Sequence, residues 1–342
     1  NSDTTREVLM TEFLKTDLTL FSFRESGFIQ YNKDIGNFTI NAGTRVSYWS
    51  FNKEFLLSPR LNLAFIPLWK KDIVFRAATG IYYQSPFYRE LRNLEGDLNP
   101  NIESQKSTHF VLGSDYLFYS WGRPFKLISE IYYKDLQNLI PYKVDNVRIQ
   151  YLAENNSNGY AAGIDLKING EFVPGVESWA SLSVMQTMED IEDDFYIDEE
   201  TGETIYPGFI PRPTDQRVNF SLFFQDYLPG NPNYKMHLSM MYGTGLSFGP
   251  PKSDKYQDIL RMPDYRRVDI GFSAVIKNED KKSKVNFLNK LNSMWISVEV
   301  FNLLDIDNTV SYLWVSDVSG RQYAVPNYLT PRQLNFKLII NL

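Results

Sequence analysis

The sequence predicts an all-β fold, a transmembrane antiparallel β-barrel, on three observations. Apolar and polar residues alternate with a period of two, short and long connections alternate between the segments, and aromatic residues gather near both segment ends. The 342 residues have a mean hydropathy of −0.33 and contain no apolar run approaching the roughly 20 residues that a membrane helix requires. A helical membrane protein is therefore excluded, whereas a barrel needs apolar residues only at alternate positions.

The alternation is clearest in the last segment, where Leu334, Phe336 and Leu338 lie on one face and Asn335 and Lys337 on the other. Each segment runs about 10 to 14 residues, and ten residues tilted by about 40° span roughly 25 Å, the height of an outer-membrane apolar band. The sequence thus predicts one barrel domain over residues 1–342 with about 13 strands. These strands fall near 18–31, 37–51, 55–66, 72–83, 107–120, 124–136, 158–171, 178–190, 216–228, 234–245, 265–277, 293–303 and 333–342.

The connections between the predicted strands alternate in length. Short ones, most of them with Pro or Gly, fall at 67–71, 121–123, 172–177 and 229–233. Long ones fall near 84–106, 137–157, 191–215, 246–264 and 304–332. Short turns on one side and long loops on the other are typical of an outer-membrane barrel. Two connections fit less well, because 52–54 is short and 278–292 is long where the alternation requires the opposite.

Aromatic residues predict a girdle at each membrane interface, if the short turns are periplasmic. The periplasmic girdle would contain Trp69, Tyr119, Trp121, Trp179, Tyr227, Tyr234 and Trp295. The outer girdle would contain Tyr48, Trp49, Tyr82, Tyr83, Tyr132, Tyr133, Tyr242 and Tyr265.

Catalytic chemistry finds little support in the composition. The net charge of −6 gives no reason to expect nucleic acid as a partner, and the absence of Cys removes thiolate catalysis and Cys-ligated metals. The two histidines, His109 and His237, lie on separate strands, and His237 shares the polar face with Lys235 and Ser239, which favours a lumen-lining role. We therefore predict that the protein is not an enzyme and has no catalytic residue, metal site or cofactor.

The loop near 189–206 is strongly acidic. Asp190, Glu192 and Asp194 have the spacing of an EF-hand loop, but Phe195 stands where the sharp turn needs Gly. A solvated surface loop is the favoured interpretation, and calcium binding stays open.

The loop 304–332 carries the candidate ligand-binding residues Tyr312, Trp314, Arg321 and Tyr323. Aromatic and Arg side chains on an outer loop suit contacts to a sugar, a peptide or a chelate, and they suit loop-on-loop packing equally well. The Lys-rich segment 278–292 should be periplasmic, and its apolar residues at helical spacing allow a short helix that covers the lower rim.

Several stretches, in order along the chain, resemble TonB-dependent receptors. They are residues 58–63 and 75–80 in two consecutive strands, 84–91 and 99–107 in the loop that follows, 301–305 (Phe-Asn-Leu-Leu-Asp) with Asn308, and Pro331-Arg332 before the last strand. The run 310–331 is similar to members from Bacteroidota. The family usually ends in an aromatic residue, and Leu342 departs from that pattern.

The resemblance implies a receptor of the bacterial outer membrane, with about 22 strands closed around an N-terminal plug. It implies as partners the TonB complex, through the missing N-terminal part, together with outer-membrane lipid and a small nutrient ligand such as a siderophore, an oligosaccharide or a peptide. About 13 strands is an odd number, and an open edge in lipid would leave backbone groups without partners. We therefore expect that this chain does not close by itself and that its first strand pairs with a preceding portion. A further strand at 6–14, which would close a 14-stranded barrel, is the alternative.

Three functions are compatible with such a barrel. The first is active import, in which a nutrient binds at the outer loops and TonB, driven by the proton-motive force, opens a path past the plug. The alternatives are a passive porin or channel, and an adhesin or secretion-associated barrel.

Overall fold

The computed structural model describes residues 19–93, 96–145, 148–198, 200–228, 231–249, 259–278, 285, 289–317, 319 and 321–341. Its strands, in chain order, are β1 (Arg24–Ile35), β2 (Phe38–Trp49), β3 (Glu54–Phe65), β4 (Asp72–Gln84), β5 (Gln105–Ser120), β6 (Arg123–Leu139), β7 (Tyr142–Asp145), β8 (Arg148–Tyr151), β9 (Ser157–Val173), β10 (Val176–Ile191), β11 (Tyr196–Ile197), β12 (Thr204–Ile205), β13 (Ile210–Pro211), β14 (Val218–Leu228), β15 (Asn231–Gly243), β16 (Ser247–Phe248), β17 (Leu260–Arg261), β18 (Tyr265–Lys277), β19 (Ser293–Phe301), β20 (Thr309–Ser316), β21 (Gln322–Tyr328) and β22 (Gln333–Asn341). A short 3₁₀ helix, η1, spans Tyr88–Leu91.

Thirteen of these strands form one antiparallel sheet, the wall, in which sequence neighbours pair side by side. The wall order is β1-β2-β3-β4-β5-β6-β9-β10-β14-β15-β18-β19-β22, and β13 adds a short pairing to β10. This arrangement confirms the predicted antiparallel meander. The first strand was predicted at 18–31 but lies at Arg24–Ile35, because the tight turn at Gly36, with φ of 57°, follows it directly.

From β3 to β18 short and long connections of the wall alternate, and the long connections β4–β5, β6–β9, β10–β14, β15–β18 and β19–β22 each carry their own secondary structure. The elements outside the wall are η1 and the hairpins β7–β8, β11–β12, β16–β17 and β20–β21. Local pairing of this kind satisfies backbone groups that a long loop would otherwise leave to water. The exception at β2–β3 is confirmed, since only four residues separate Trp49 from Glu54.

The strand register separates an apolar face from a polar face. One row across β5, β6, β9 and β10 reads Leu112, Ile131, Ile164 and Val184, and the neighbouring row reads Gly113, Glu130, Asp165 and Ser183. The apolar row is 48–61% exposed in this chain, which only a lipid environment makes favourable. We therefore assign the apolar face to lipid and the polar face to the lumen.

The register corrects half of the girdle prediction. Successive residues of a strand point to opposite faces, so adjacent aromatic pairs cannot both meet lipid. Tyr133 is 46% exposed on the lipid face, whereas Tyr82 stacks on His109 and Trp49 is buried among the outer loops. At the other end, Trp179 stacks on Phe223 along the lumen face, while Trp69 and Trp121 are exposed near the short turns.

Within the described residues the sheet is open, because β1 pairs only with β2 and β22 only with β19. This confirms that the described strands do not close by themselves. The proposed extra strand at 6–14 lies outside the described residues, as do Leu342 and most of the proposed capping helix at 278–292. No helix in the described part of the chain is long and apolar enough to cross a membrane.

Candidate functional site

The outer ends of β2 to β9 carry a packed body that we call the loop core. Its buried residues are Trp49, Leu91, Ile102, Ile140, Tyr151 and Ala153, which come from the end of β2 and from the β4–β5 and β6–β9 connections. Side-chain amides tie these connections to one another. Asn52 Nδ2 donates to Ile102 O over 2.8 Å, and Asn99 Nδ2 donates to Ala153 O over 2.8 Å. The loop core therefore holds the outer connections together as one unit above the wall.

A cavity of about 670 Å³ lies between the loop core and the outer lumen wall. Its lining includes Tyr82 and His109 from the wall and Arg89, Tyr142 and Arg212 from the loops. Burial raises the pKa of Tyr142, and burial also raises the pKa of Glu90 at its edge. The cavity thus offers hydrogen-bond donors in partly dehydrated surroundings, as ligand sites do.

Buried charges fasten the loops of the β10–β14 and β15–β18 connections. The Asp215 carboxylate is fully buried, receives a hydrogen bond from Thr187 N (2.7 Å), and pairs with Arg217 (2.7 Å) and Arg261. Beside it, the buried Glu189 forms an ion pair with Arg212 (3.3 Å). We call this group the buried charge cluster. Sequence reasoning missed it, because its members are scattered over 74 sequence positions between Thr187 and Arg261.

The Phe-Asn-Leu-Leu-Asp stretch forms a clasp at the start of the β19–β22 connection. Asn302 is 2% exposed with φ of 50°, its backbone N–H donates to Asp269 (2.8 Å), and its side chain both donates to and accepts from Ile306 (3.0 and 3.1 Å). Asn308 bonds Arg266 N and O in the same way (2.8 and 2.9 Å). The family-like stretch is therefore structural, since it anchors the loop that carries the candidate ligand residues.

The four candidate ligand residues lie on the hairpin β20–β21 but do not share a face. Tyr312 and Trp314 project to one side, where Tyr312 stacks on Phe248 (4.9 Å). Tyr323 pairs with Val315 on the opposite side and is 51% exposed. Arg321 lies in the turn, where the Ser319 hydroxyl and the backbone N–H groups of Arg321 and Ser319 donate to Asp317 and lower the pKa of that carboxyl. The structure thus brings together only Tyr312 and Trp314.

The lumen wall below the loops carries compensated charge. Arg76 pairs with Asp115 (2.6 Å) and Glu130 (3.3 Å), and Lys126 pairs with Asp115 (2.8 Å). His237 lines the lumen as predicted, in a ring contact with Phe223 (5.9 Å) and close over Gly271, where a Cβ would lie 2.2 Å from the imidazole.

The acidic loop is largely accounted for by contacts within the protein. Glu192 accepts from Asn158 (2.9 Å), and Asp198 accepts backbone N–H bonds at the β11–β12 turn, which lower its pKa. Burial raises the pKa of Asp194, and the nearby Asp190 carboxylate adds to that shift. Over the described residues, with Glu199 outside them, no group of three or more carboxylates or histidines is placed to hold a metal ion.

The comparisons with known proteins agree with this geometry. The sequence matches the family model described as TonB dependent receptor-like, beta-barrel, over residues 11–303. The fold is similar to the outer membrane transporter YddB from Escherichia coli (12% identity, TM-score 0.65, 93% of this chain and 45% of that chain). It is also similar to a mutant of the ferric enterobactin receptor PfeA from Pseudomonas aeruginosa (16% identity, TM-score 0.58, 93% and 44%) and to the FrpB iron transporter from Neisseria meningitidis (12% identity, TM-score 0.60, 93% and 44%).

The chain spans less than half the length of these structures, so the likeness concerns the barrel fold. No curated protein matches the sequence.

Proposed function

Because this chain belongs to the TonB-dependent receptor β-barrel family, whose barrels lie in the outer membrane, we propose that it forms the wall and outer loops of a nutrient importer. A ligand binds at the outer loops, and energy transmitted by TonB to a portion outside this chain drives it through the lumen. One observation carries the proposal: a packed loop core with a cavity stands over a polar lumen wall. Family and fold are those of receptors and transporters, and not of enzymes.

The passive porin gains no support from the described strands. A pore needs a closed wall, whereas β1 and β22 each leave one edge unpaired within the described sheet. A loop core that ties three outer connections together also suits a ligand site better than a permanently open mouth.

Dependence on TonB is the decisive test. Accumulation of ⁵⁵Fe-labelled ferric enterobactin, labelled vitamins and labelled oligosaccharides would be compared in host cells with the complete receptor, without it, and with it but without TonB. We expect at least one probe to accumulate about tenfold more with the receptor and to lose that gain without TonB, because the ligand cannot pass a closed lumen unaided. Accumulation that persists without TonB would favour the porin. No receptor-dependent accumulation of any probe would contradict import.

The hairpin β20–β21 supplies ligand contacts in this proposal, through Tyr312, Trp314, Arg321 and Tyr323. Because Tyr312 and Trp314 share a face, Trp314→Ala should weaken binding of the imported probe about tenfold, or about 1.4 kcal/mol. Equilibrium binding to cells provides the measurement, and Tyr119→Ala, an exposed aromatic at the opposite end, is the matched control. Unchanged affinity in all four single alanine variants would show that the hairpin serves loop packing instead.

A further inference from the structure

Three arginines converge on the lumen face near the outer end of β1, β2 and β3. Arg24, Arg45 and Arg60 border one cavity of about 360 Å³, together with the hydroxyl groups of Ser26, Ser47 and Ser58. The register explains the convergence. Arg45 pairs with Ser58, two residues from Arg60 on the same face of β3, so the two arginines are diagonal neighbours.

Each guanidinium is positioned by uncharged groups. Arg24 lies 4.2 Å from the Trp49 ring centre and donates to Pro86 O (2.8 Å). Arg45 donates to Ser26 Oγ (2.9 Å), and Arg60 lies 4.5 Å from the Tyr82 ring centre. Such contacts orient the planar fork without supplying a formal counter-charge.

None of the three arginines forms an ion pair with a residue in the described part of the chain. Glu25 also borders the cavity without pairing with them, and the Glu54 carboxylate accepts hydrogen bonds from Ser104 N (3.0 Å) and Asn52 (3.1 Å). Farther down the wall, by contrast, Arg76 and Lys126 each form an ion pair with Asp115. Within the described residues, three positive charges without an ion-pair partner thus border one cavity at the outer lumen wall of a chain whose net charge is −6.

Gly80 makes room for this arrangement. A Cβ at position 80 would lie 3.1 Å from Arg60 Cγ, 3.1 Å from Pro59 O and 3.2 Å from the Tyr82 ring. The missing side chain therefore lets the Arg60 stem and the Tyr82 ring close over β4 and hold the guanidinium against the ring.

We propose that Arg24, Arg45 and Arg60 form an oxyanion-binding subsite on the inner wall, which receives a ligand bearing carboxylate or phosphate groups. Guanidinium forks bind both groups through paired N–H···O bonds, and the serine hydroxyls add donors in the same cavity. The inference rests on the proposed import function and names its ligand class. The subsite lies on the wall, apart from the hairpin β20–β21.

Isothermal titration calorimetry on the complete receptor in detergent tests the subsite, with citrate, pyrophosphate and neutral maltose as probes. We expect citrate or pyrophosphate to bind and maltose not to bind, and the stronger anion distinguishes a carboxylate ligand from a phosphate ligand. The double variant Arg45→Gln/Arg60→Gln should weaken anion binding at least tenfold. Arg148→Gln, which removes one exposed positive charge from a loop hairpin, should change it less than twofold.

Gly80→Ala tests whether the position of Arg60 matters independently of its charge. The added methyl group displaces the Arg60 side chain, whereas the net charge of the protein stays the same. The substitution should weaken anion binding about threefold or more, with the thermal transition of the receptor recorded to confirm folding. Absence of anion binding, or binding that the double variant leaves intact, would overturn the subsite and assign the arginines to contacts within the receptor. Anion binding without TonB-dependent uptake would instead leave the subsite standing and contradict the import function.

Discussion

Replacing Asp215 with Ala should destabilise the outer loops by about 3 kcal/mol. Its carboxylate is fully buried and joins Thr187 N of β10, Arg217 of the β10–β14 connection and Arg261 of β17. Removing it leaves a buried backbone N–H without its acceptor and two guanidinium groups without their counter-charge. The Arg217 and Arg261 side chains are 40% and 32% exposed, so water can solvate their guanidinium groups once the carboxylate is gone. The expected destabilisation is therefore close to the lower limit for breaking a buried ion pair.

Hydrogen exchange of the receptor in detergent measures this effect. Peptides from the β10–β14 and β15–β18 connections should exchange about a hundredfold faster in Asp215→Ala, since 1.4 kcal/mol corresponds to a factor of ten. Wall strands should keep their protection. Asp97→Ala, which truncates an exposed loop carboxylate, serves as the control, and equal exchange in the two variants would refute a fastening role for the buried charge cluster.

Asn302→Ala should destabilise the folded β19–β22 connection by about 3 kcal/mol. The substitution removes two side-chain hydrogen bonds to Ile306, each worth about 1 kcal/mol, and places an alanine at φ of 50°, which costs about 1 kcal/mol more. Since the hairpin β20–β21 follows directly, ligand binding should weaken together with loop stability.

Limited proteolysis of the β19–β22 connection reports this loss. Asn302→Gly tolerates the positive φ and lacks the side-chain bonds, so it should fall between the wild type and Asn302→Ala. Asn101→Ala, at an exposed asparagine, is the matched control. If Asn302→Gly proved no more stable than Asn302→Ala, backbone conformation would play no part in the clasp.

Much of the wall could be predicted from the sequence, because the residues that specify a barrel strand are close neighbours along the chain. Twelve of the thirteen wall strands lie close to their predicted positions, since alternation and turn residues act over only a few neighbours. Local reasoning failed where two aromatic residues are adjacent, as at Tyr82 and Tyr83, because one of them must face the lumen. The candidate ligand residues were predicted only from their residue types and their place in an outer loop. The hairpin register shows that Tyr312 and Trp314 lie on one face and Tyr323 on the other.

The amino-acid sequence by itself determined that this chain is a lipid-facing antiparallel wall, because alternation over such long strands, joined by connections of such unequal length, suits a bilayer better than a soluble sandwich. Only the tertiary structure decided which charges form ion pairs and which have none within the described residues. Asp215 meets Arg261 from 46 positions away, and Arg45 and Arg60 meet across a strand register that no local signal specifies. Such pairings depend on how strands align and loops return, and these are properties of the folded wall as a whole.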